Sequence, residues 1–291
     1  MNFKKKLIDF SLLIKDILDV KPIYLFWWTP DRADGLENYG DVLNLFLVKK
    51  LSNKKVVHVK NPDERKYKKY ISHYFSIGSV LGMSNENSII WGSGIISSDA
   101  DVYLKEVLAV RGPRTRNRLL ELGYKVPEVY GDPAILTPLF IENNTNPSYE
   151  LGIIPHYVDY DEVLEQFKDE PKVKVIKLLT NDVVKTTNEI LECKKIISSS
   201  LHGVILPHAY NIPALWIRIS DKLAGDDIKF IDYFESVGID AYKINSSLLS
   251  YENLMSLFDV DKSRNLPNIE LLALRKKQLL VSCPFNNNTK L

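Results

Sequence analysis

Apolar residues along this chain come in short blocks divided by polar loops, and the blocks alternate between two periods. Residues 23–28 (IYLFWW), 56–59, 74–77, 88–91 and 107–111 are brief continuous apolar runs, the pattern of strands covered on both faces. Between them, residues 42–51 carry Val42, Leu43, Leu45, Phe46 and Leu47 at helical spacing, with Asp41 as the expected N-cap and Gly40 as the turn before it. Residues 62–70 predict a charged, solvated helix, and Pro113 suits the first position of a helix that continues through residues 115–122. The polar, Asn-rich stretch 141–150 reads as a linker. The alternation then restarts, with strands at 151–155 and 173–178, helices at 161–167 and 180–193 (capped by Thr180 or Asn181), a helix near 228–237 and a long amphipathic helix over 266–281. Residues 196–219 hold strand, turn, helix, turn and strand in two dozen positions.

This pattern predicts an α/β protein with two doubly wound halves facing each other across a cleft. The expected units are residues 1–145, residues 146–265, and a C-terminal helix within 266–291 that returns to the first unit. In open α/β sheets ligands sit at the carboxyl ends of strands, so the loops there are the places to search.

Bulk properties narrow the classes. The 291 residues are 45% hydrophobic and 26% charged with net charge +1, which points away from nucleic acid as a partner. Cys193 and Cys283 are the two cysteines, with no C-x-x-C spacing, so a reducing, cytoplasmic setting is expected and structural zinc is not. No run reaches the length of a membrane span. Asp9, Lys15, Asp16 and Asp19 interrupt the apolar residues of segment 1–20, unlike a signal peptide. Phe10, Leu13, Ile14, Ile17 and Leu18 share one helical face there, either packed on the same domain or, with Lys4, Lys5 and Lys6, resting on anionic lipid as a peripheral contact.

Candidate chemistry gathers where strands end. His202 follows Ser198, Ser199 and Ser200, precedes Gly203 and sits at a helix start, where free N–H groups favour an anion. The loop after the first strand carries Asp31, Asp34, Glu37, Asn38, Gly40 and Asp41. Gly92 and Gly94 flank Ser93 and allow close backbone approach, and Arg111 offers a planar fork for carboxylate or phosphate. His156, Arg218 and Lys229 sit in the corresponding loops of the second half. No metal-ligand cluster is evident, and the chemistry considered below needs none.

Taken in order, N-Y-G-D (38–41), W-G-S-G (91–94), V-R-G-P (110–113), Y-G-D-P-A (130–134), P-H-Y (155–157) and S-S-L-H-G (199–203) resemble the polysaccharide pyruvyl transferase family, and G-D-D-I-K-F-I-D-Y-F (225–234) is similar to its capsule and exopolysaccharide ketal-pyruvyl transferase branch. The resemblance implies two Rossmann-like domains in a GT-B-like pair. It implies transfer of the pyruvyl group of phosphoenolpyruvate, as co-substrate with no further cofactor, onto two hydroxyls of a hexose, often galactose. The product is a cyclic ketal on a lipid-linked saccharide at the cytoplasmic face of a bacterial membrane, with phosphate released. His202 takes the place of the family's catalytic histidine, with Asp41 (or Asp31 or Asp34) as a base. Arg111, Ser200, Gly203, Lys229, Arg218 and His156 are expected on the donor side, and Asn38, Gly40, Gly92 and Ser93 on the acceptor side. Where many members carry Arg two residues before the histidine, this chain has Ser200, so donor charge must be met elsewhere, by Lys229, Arg218 or Lys222. Two other functions compete: a GT-B-type glycosyltransferase using a nucleotide sugar, on the same architecture, and a non-catalytic glycan-binding member, on the Ser200 departure.

Overall fold

The computed structural model describes residues 22–64, 71–220, 225–245 and 250–285. The expected N-terminal helix with Lys4, Lys5 and Lys6, most of the helix at 62–70, and Lys222 lie outside the described residues.

The described chain is a mixed α/β protein with two parallel sheets. In the first half β1 (Ile23–Phe26), β3 (Val56–His58), β4 (His73–Phe75), β5 (Ser88–Trp91) and β6 (Glu106–Ala109) pair in the order β3-β1-β4-β5-β6. In the second, β7 (Leu151–Ile154), β8 (Val173–Val175), β10 (Ile196–Ser198) and β11 (Ala214–Trp216) pair as β11-β10-β7-β8. The inner strands read as unbroken apolar runs because helices cover both faces, and β5 and β7 are buried at every position. Each sheet starts in its interior and grows to one side before the other. Each therefore has a switch point, between β1 and β4 and between β7 and β10, where the loops at the strands' carboxyl ends diverge and leave a crevice. A two-residue antiparallel pair, β2 (Glu37–Asn38) with β9 (Leu179–Thr180), ties the first switch-point loop to the second half.

Helices fill the connections: α1 (Tyr39–Ser52), α2 (Pro113–Glu121), α3 (Tyr160–Phe167), α4 (Val183–Leu191), α5 (His202–Ala209), α6 (Ile228–Ser236), α7 (Tyr251–Val260) and α8 (Ile269–Val281). Two caps differ from the sequence expectation. Helix α1 begins at Tyr39 with Asn38 in the N-cap position, so Asp41 lies inside the first turn. Tyr39, buried with its hydroxyl bonded to Thr187 Oγ1 at 2.8 Å, stands at the head of the three added residues, Tyr39, Gly40 and Asp41. Helix α4 is capped by Asp182, whose carboxylate accepts from the Lys185 N–H at 2.9 Å, while Thr180 belongs to β9. A 3-10 helix at Pro133–Leu139 and α7 have no counterpart in the sequence reading.

One contiguous apolar core runs through residues of both halves, from Leu25 and Trp91 to Ile197 and Trp216. Helix α8 binds them together. Its Leu279 carbonyl accepts from Trp91 Nε1 (3.1 Å), the Arg275 guanidinium lies over the Tyr130 ring and donates to Ser236 O (2.7 Å), and Lys276 donates to Ala209 O (3.1 Å). No helix among the described residues is long and apolar enough to cross a membrane.

Candidate active site

Three segments meet at His202. Strand β10 ends in serines, and Ser198 shapes the turn: its hydroxyl donates to Ile154 O (2.8 Å) and accepts the Ser200 N–H (2.9 Å). Helix α5 then starts with His202. Gly203 lies so close to β10 that a Cβ would fall 2.2 Å from Ser198 Oγ, which gives this glycine a packing reason. The imidazole points into the first half, against the first turn of α1. A Cβ on Gly40 would sit 2.1 Å from His202 Nδ1, so the ring occupies the space a side chain there would need. On the ring's other edge Nε2 faces Asp132 Oδ2 at 3.5 Å, and the histidine side chain is only 11% exposed. Asp132 is fully buried, and its Oδ1 caps the 3-10 helix through the Ala134 N–H (3.0 Å). Pro133 is seated against Gly92, whose φ of +99° and 2.2 Å from Cβ to Pro133 Cδ make it glycine for conformation and space alike.

Asp41, next to Gly40, is half-buried. Burial pushes its carboxyl up to about 7, against the pull of His202, with Glu37 adding to the rise and the Trp28 backbone N–H opposing it. Such a group exchanges protons near neutral pH, which is what an acid–base catalyst requires. Asp41 and His202 are thus brought together by the structure. Asp34 pairs instead with Arg32 at 2.8 Å on the surface, which holds its carboxyl low.

A second group lies beside the first. Asn38, His156, Tyr157 and Ser200 line one small pocket with Leu178 and Leu179, joining both halves. The His156 N–H donates to Ser199 Oγ at 2.8 Å across the β7–β10 switch point. Its ring Nδ1 and Asn38 Oδ1 are buried without a hydrogen-bond partner. Burial, and then the charge of Lys229, push the His156 imidazole down to about 4, so it is neutral at pH 7. Lys229, on the first turn of α6, is itself lowered by burial and by Arg111. Lys229 is thus near both His156 and Arg111, and the Ser93 hydroxyl is buried without a partner.

Two expected donor contacts have other partners. Arg111 has no exposed surface, and its guanidinium donates to Asp232 Oδ2 (3.0 Å), Ser79 Oγ (2.6 Å) and Ile95 O (2.7 Å). A Cβ on Gly94 would fall 2.3 Å from its Cζ, so Gly94 makes room for that fork. Asp232, from the second half, also caps α2: it accepts from the Thr115 N–H (3.0 Å) and Oγ1 (2.6 Å). Gly112 lets the chains touch there, and Arg114 adds a pair with Glu235 at 2.6 Å. The R-G-P segment is in this structure a clasp between halves. Arg218 bonds Asp227 at 3.1 Å.

Asp132 was missed as a site residue. Its sequence signal was only an Asp before Pro, which reads as a turn or cap. Its second carboxylate oxygen, aimed at a histidine 70 positions later, is a tertiary fact.

Titratable groups from both halves meet at the two switch points, an arrangement that suits a group-transfer enzyme. The family follows directly: residues 30–221 match the polysaccharide pyruvyl transferase family, and the chain belongs to it. An uncharacterized protein of Acanthamoeba polyphaga mimivirus is 38% identical over 274 residues, covering 90% of this chain and 91% of that protein. The protein is a transferase acting in pyruvyl transfer to polysaccharide.

Proposed function

We propose that the protein moves the pyruvyl group of phosphoenolpyruvate onto two hydroxyls of one hexose, galactose in the first instance, and releases phosphate. The observation that carries this is the meeting of His202 from the second half with Asp41 and Asp132 from the first, together with the nearness of Lys229 to His156. Phosphoenolpyruvate brings a carboxylate and a phosphate, and Lys229 with the N–H groups at the start of α5 supplies the opposing charge that Ser200 does not. Arg111 reinforces that field from behind rather than by contact. His156, neutral at pH 7, donates or accepts a hydrogen bond at the donor, with Ser200 and Gly203 beside it. Asn38 and Ser93 face the acceptor, while Gly40 and Gly92 make room for His202 and Pro133.

The proton account closes. One sugar hydroxyl adds to the enol carbon that bears the phosphate, and its proton reaches the methylene carbon, which becomes the methyl group. The second hydroxyl then displaces phosphate, which leaves with the second proton. His202 carries these protons between oxygen and carbon or phosphate, with Asp41 sharing the task. General acid–base catalysis of this kind contributes roughly 10² to 10⁴ in rate. In this reading the two halves are Rossmann-like domains paired as in GT-B enzymes, and the chain works in the cytoplasm on a lipid-linked saccharide, with the N-terminal segment as a peripheral contact.

The test is phosphate release from phosphoenolpyruvate with a lipid-linked galactoside, with the ketal checked by mass. His202→Ala should keep its fold and lose at least about 10² in rate. An unchanged rate in that variant, or turnover only with a nucleotide sugar, overturns the proposal.

A further inference from the structure

We infer that Asp132 is a positioning residue that holds the Nε2 proton of His202, so that Nδ1, whose ring face lies under Gly40, is the nitrogen that trades protons with the substrates. The inference rests on the proposed function only for the role of His202. Its geometric part stands alone.

Four observations carry it. His202 Nε2 and Asp132 Oδ2 face each other at 3.5 Å. Both atoms are buried, and neither has another hydrogen-bond partner. The carboxylate cannot swing away, since Oδ1 is fixed by the Ala134 N–H and the next residue, Pro133, is seated on Gly92. The ring packs face-on against Gly40, where a Cβ would stand 2.1, 2.4 and 2.7 Å from Nδ1, Cε1 and Cγ. Buried polar groups left unpaired cost about 1–3 kcal/mol each, so a closure of about half an ångström that satisfies two at once is favoured. Catalytic hydrogen bonds are commonly long in the free enzyme and tighten with substrate.

The consequence is a choice of tautomer. An ionised carboxylate accepts and cannot donate, so Nε2 must carry hydrogen, and the neutral ring keeps its lone pair at Nδ1. Asp41 faces the ring from α1, with Glu37 behind it, and Asp132 faces it from the 3-10 helix. Beyond Asp132, on α6, lies Tyr233, whose hydroxyl is bonded to His208 at 3.1 Å. Asp41, next to Gly40 on α1, acts on the ring electrostatically and in this proposal shares protons with Nδ1, where the substrates of the proposed reaction would meet it.

The decisive measurement needs no substrate. In protein labelled with ¹⁵N-histidine, the long-range ¹H–¹⁵N spectrum of the neutral ring reports which nitrogen is protonated, and His202→Gln identifies the signals. The expected result is the Nε2–H tautomer in the wild type and a shift toward Nδ1–H in Asp132→Asn, whose Oδ1 can still cap Ala134 while its amide donates to Nε2. In the transfer assay Asp132→Asn should lower kcat by about 10² or more with phosphoenolpyruvate affinity within about threefold, and Asp132→Glu should recover part of the rate. An Nδ1–H ring in the wild type overturns the inference, as does an Asp132→Asn variant with kcat within about threefold of wild type. If the wild type transfers no pyruvyl group, the proposed function fails, and the spectrum still decides the tautomer.

Discussion

Replacing Asp232 by alanine is the sharpest test of how the two halves are joined. Its carboxylate accepts from Arg111 Nε and from both the N–H and hydroxyl of Thr115, and Arg111, Thr115 and Asp232 are all fully buried. Removing it strands a guanidinium in the interior, which costs about 3–5 kcal/mol. Two Thr115 donors lose their acceptor as well, at about 1–3 kcal/mol for a buried group. These costs overlap, since Arg111 keeps Ser79 Oγ and Ile95 O, so the expected loss is about 4 kcal/mol. Against a typical total of about 5–15 kcal/mol that is a large share. Urea unfolding followed by tryptophan fluorescence should show a much lower midpoint for Asp232→Ala. The double variant Arg111→Met, Asp232→Leu removes the charge together with its partner and should recover most of the loss. A loss below about 1 kcal/mol for Asp232→Ala, or a double variant as unstable as the sum of the single ones, refutes the clasp.

Other predictions concern the site. Gly40→Ala should fold, as alanine suits a helix, but should lose at least about tenfold in kcat, because its Cβ displaces the His202 ring. Lys229→Met should weaken phosphoenolpyruvate binding about 10- to 100-fold by calorimetry, the worth of a hydrogen bond to a charged group. Burial raises the Asp41 carboxyl from 3.8 to about 7, so the folded state holds the proton more tightly than the unfolded one. Its contribution to stability is therefore full below pH 4 and is lost as pH rises toward 7, by roughly 2–4 kcal/mol. Asp41→Asn should match the wild type in thermal unfolding at pH 4 and exceed it at pH 8. His156 has the opposite sign: its imidazole falls from 6.5 to about 4, so stability is lost as pH drops through that window. The two slopes nearly cancel in the wild type between pH 4 and 6.5, so His156→Gln should unmask the Asp41 slope and gain stability as pH falls through that window.

The alternation of apolar runs and helical spacing was enough to read the parallel strands, because a strand buried on both faces has no polar residues to disguise it. Helices α2, α3 and α6 fell within a residue or two of expectation, for Pro113 and the amphipathic spacing are local signals. The two-residue strands β2 and β9 were not legible, since they exist only as partners of each other. The start of α1 at Tyr39 was hidden in the same way, since it depends on a hydroxyl bond to Thr187 in the other half. Of the residues that the structure brings together, His202, Asp41, Asn38, His156 and Ser200 could be singled out in the sequence because their residue types stand at strand ends. The partner of Arg111 could not. An arginine before Gly-Pro looks the same in sequence whether it meets a ligand or a buried aspartate 121 positions away.

Helix α8 imposes an order of events on the nascent chain. Trp91 finds its hydrogen-bond partner 188 positions downstream, and Gly131 receives Leu279 as its cover. The half of the protein that is synthesised first is thus among the last to be finished. Strands β1 to β6 must wait with one flank open while the whole second half is made, and contacts of such long sequence separation slow folding and lengthen exposure to aggregation. A chain cut between the two sheets should not yield a free-standing first half. Its growth in a cell should depend on chaperones that shield that flank until α8 arrives.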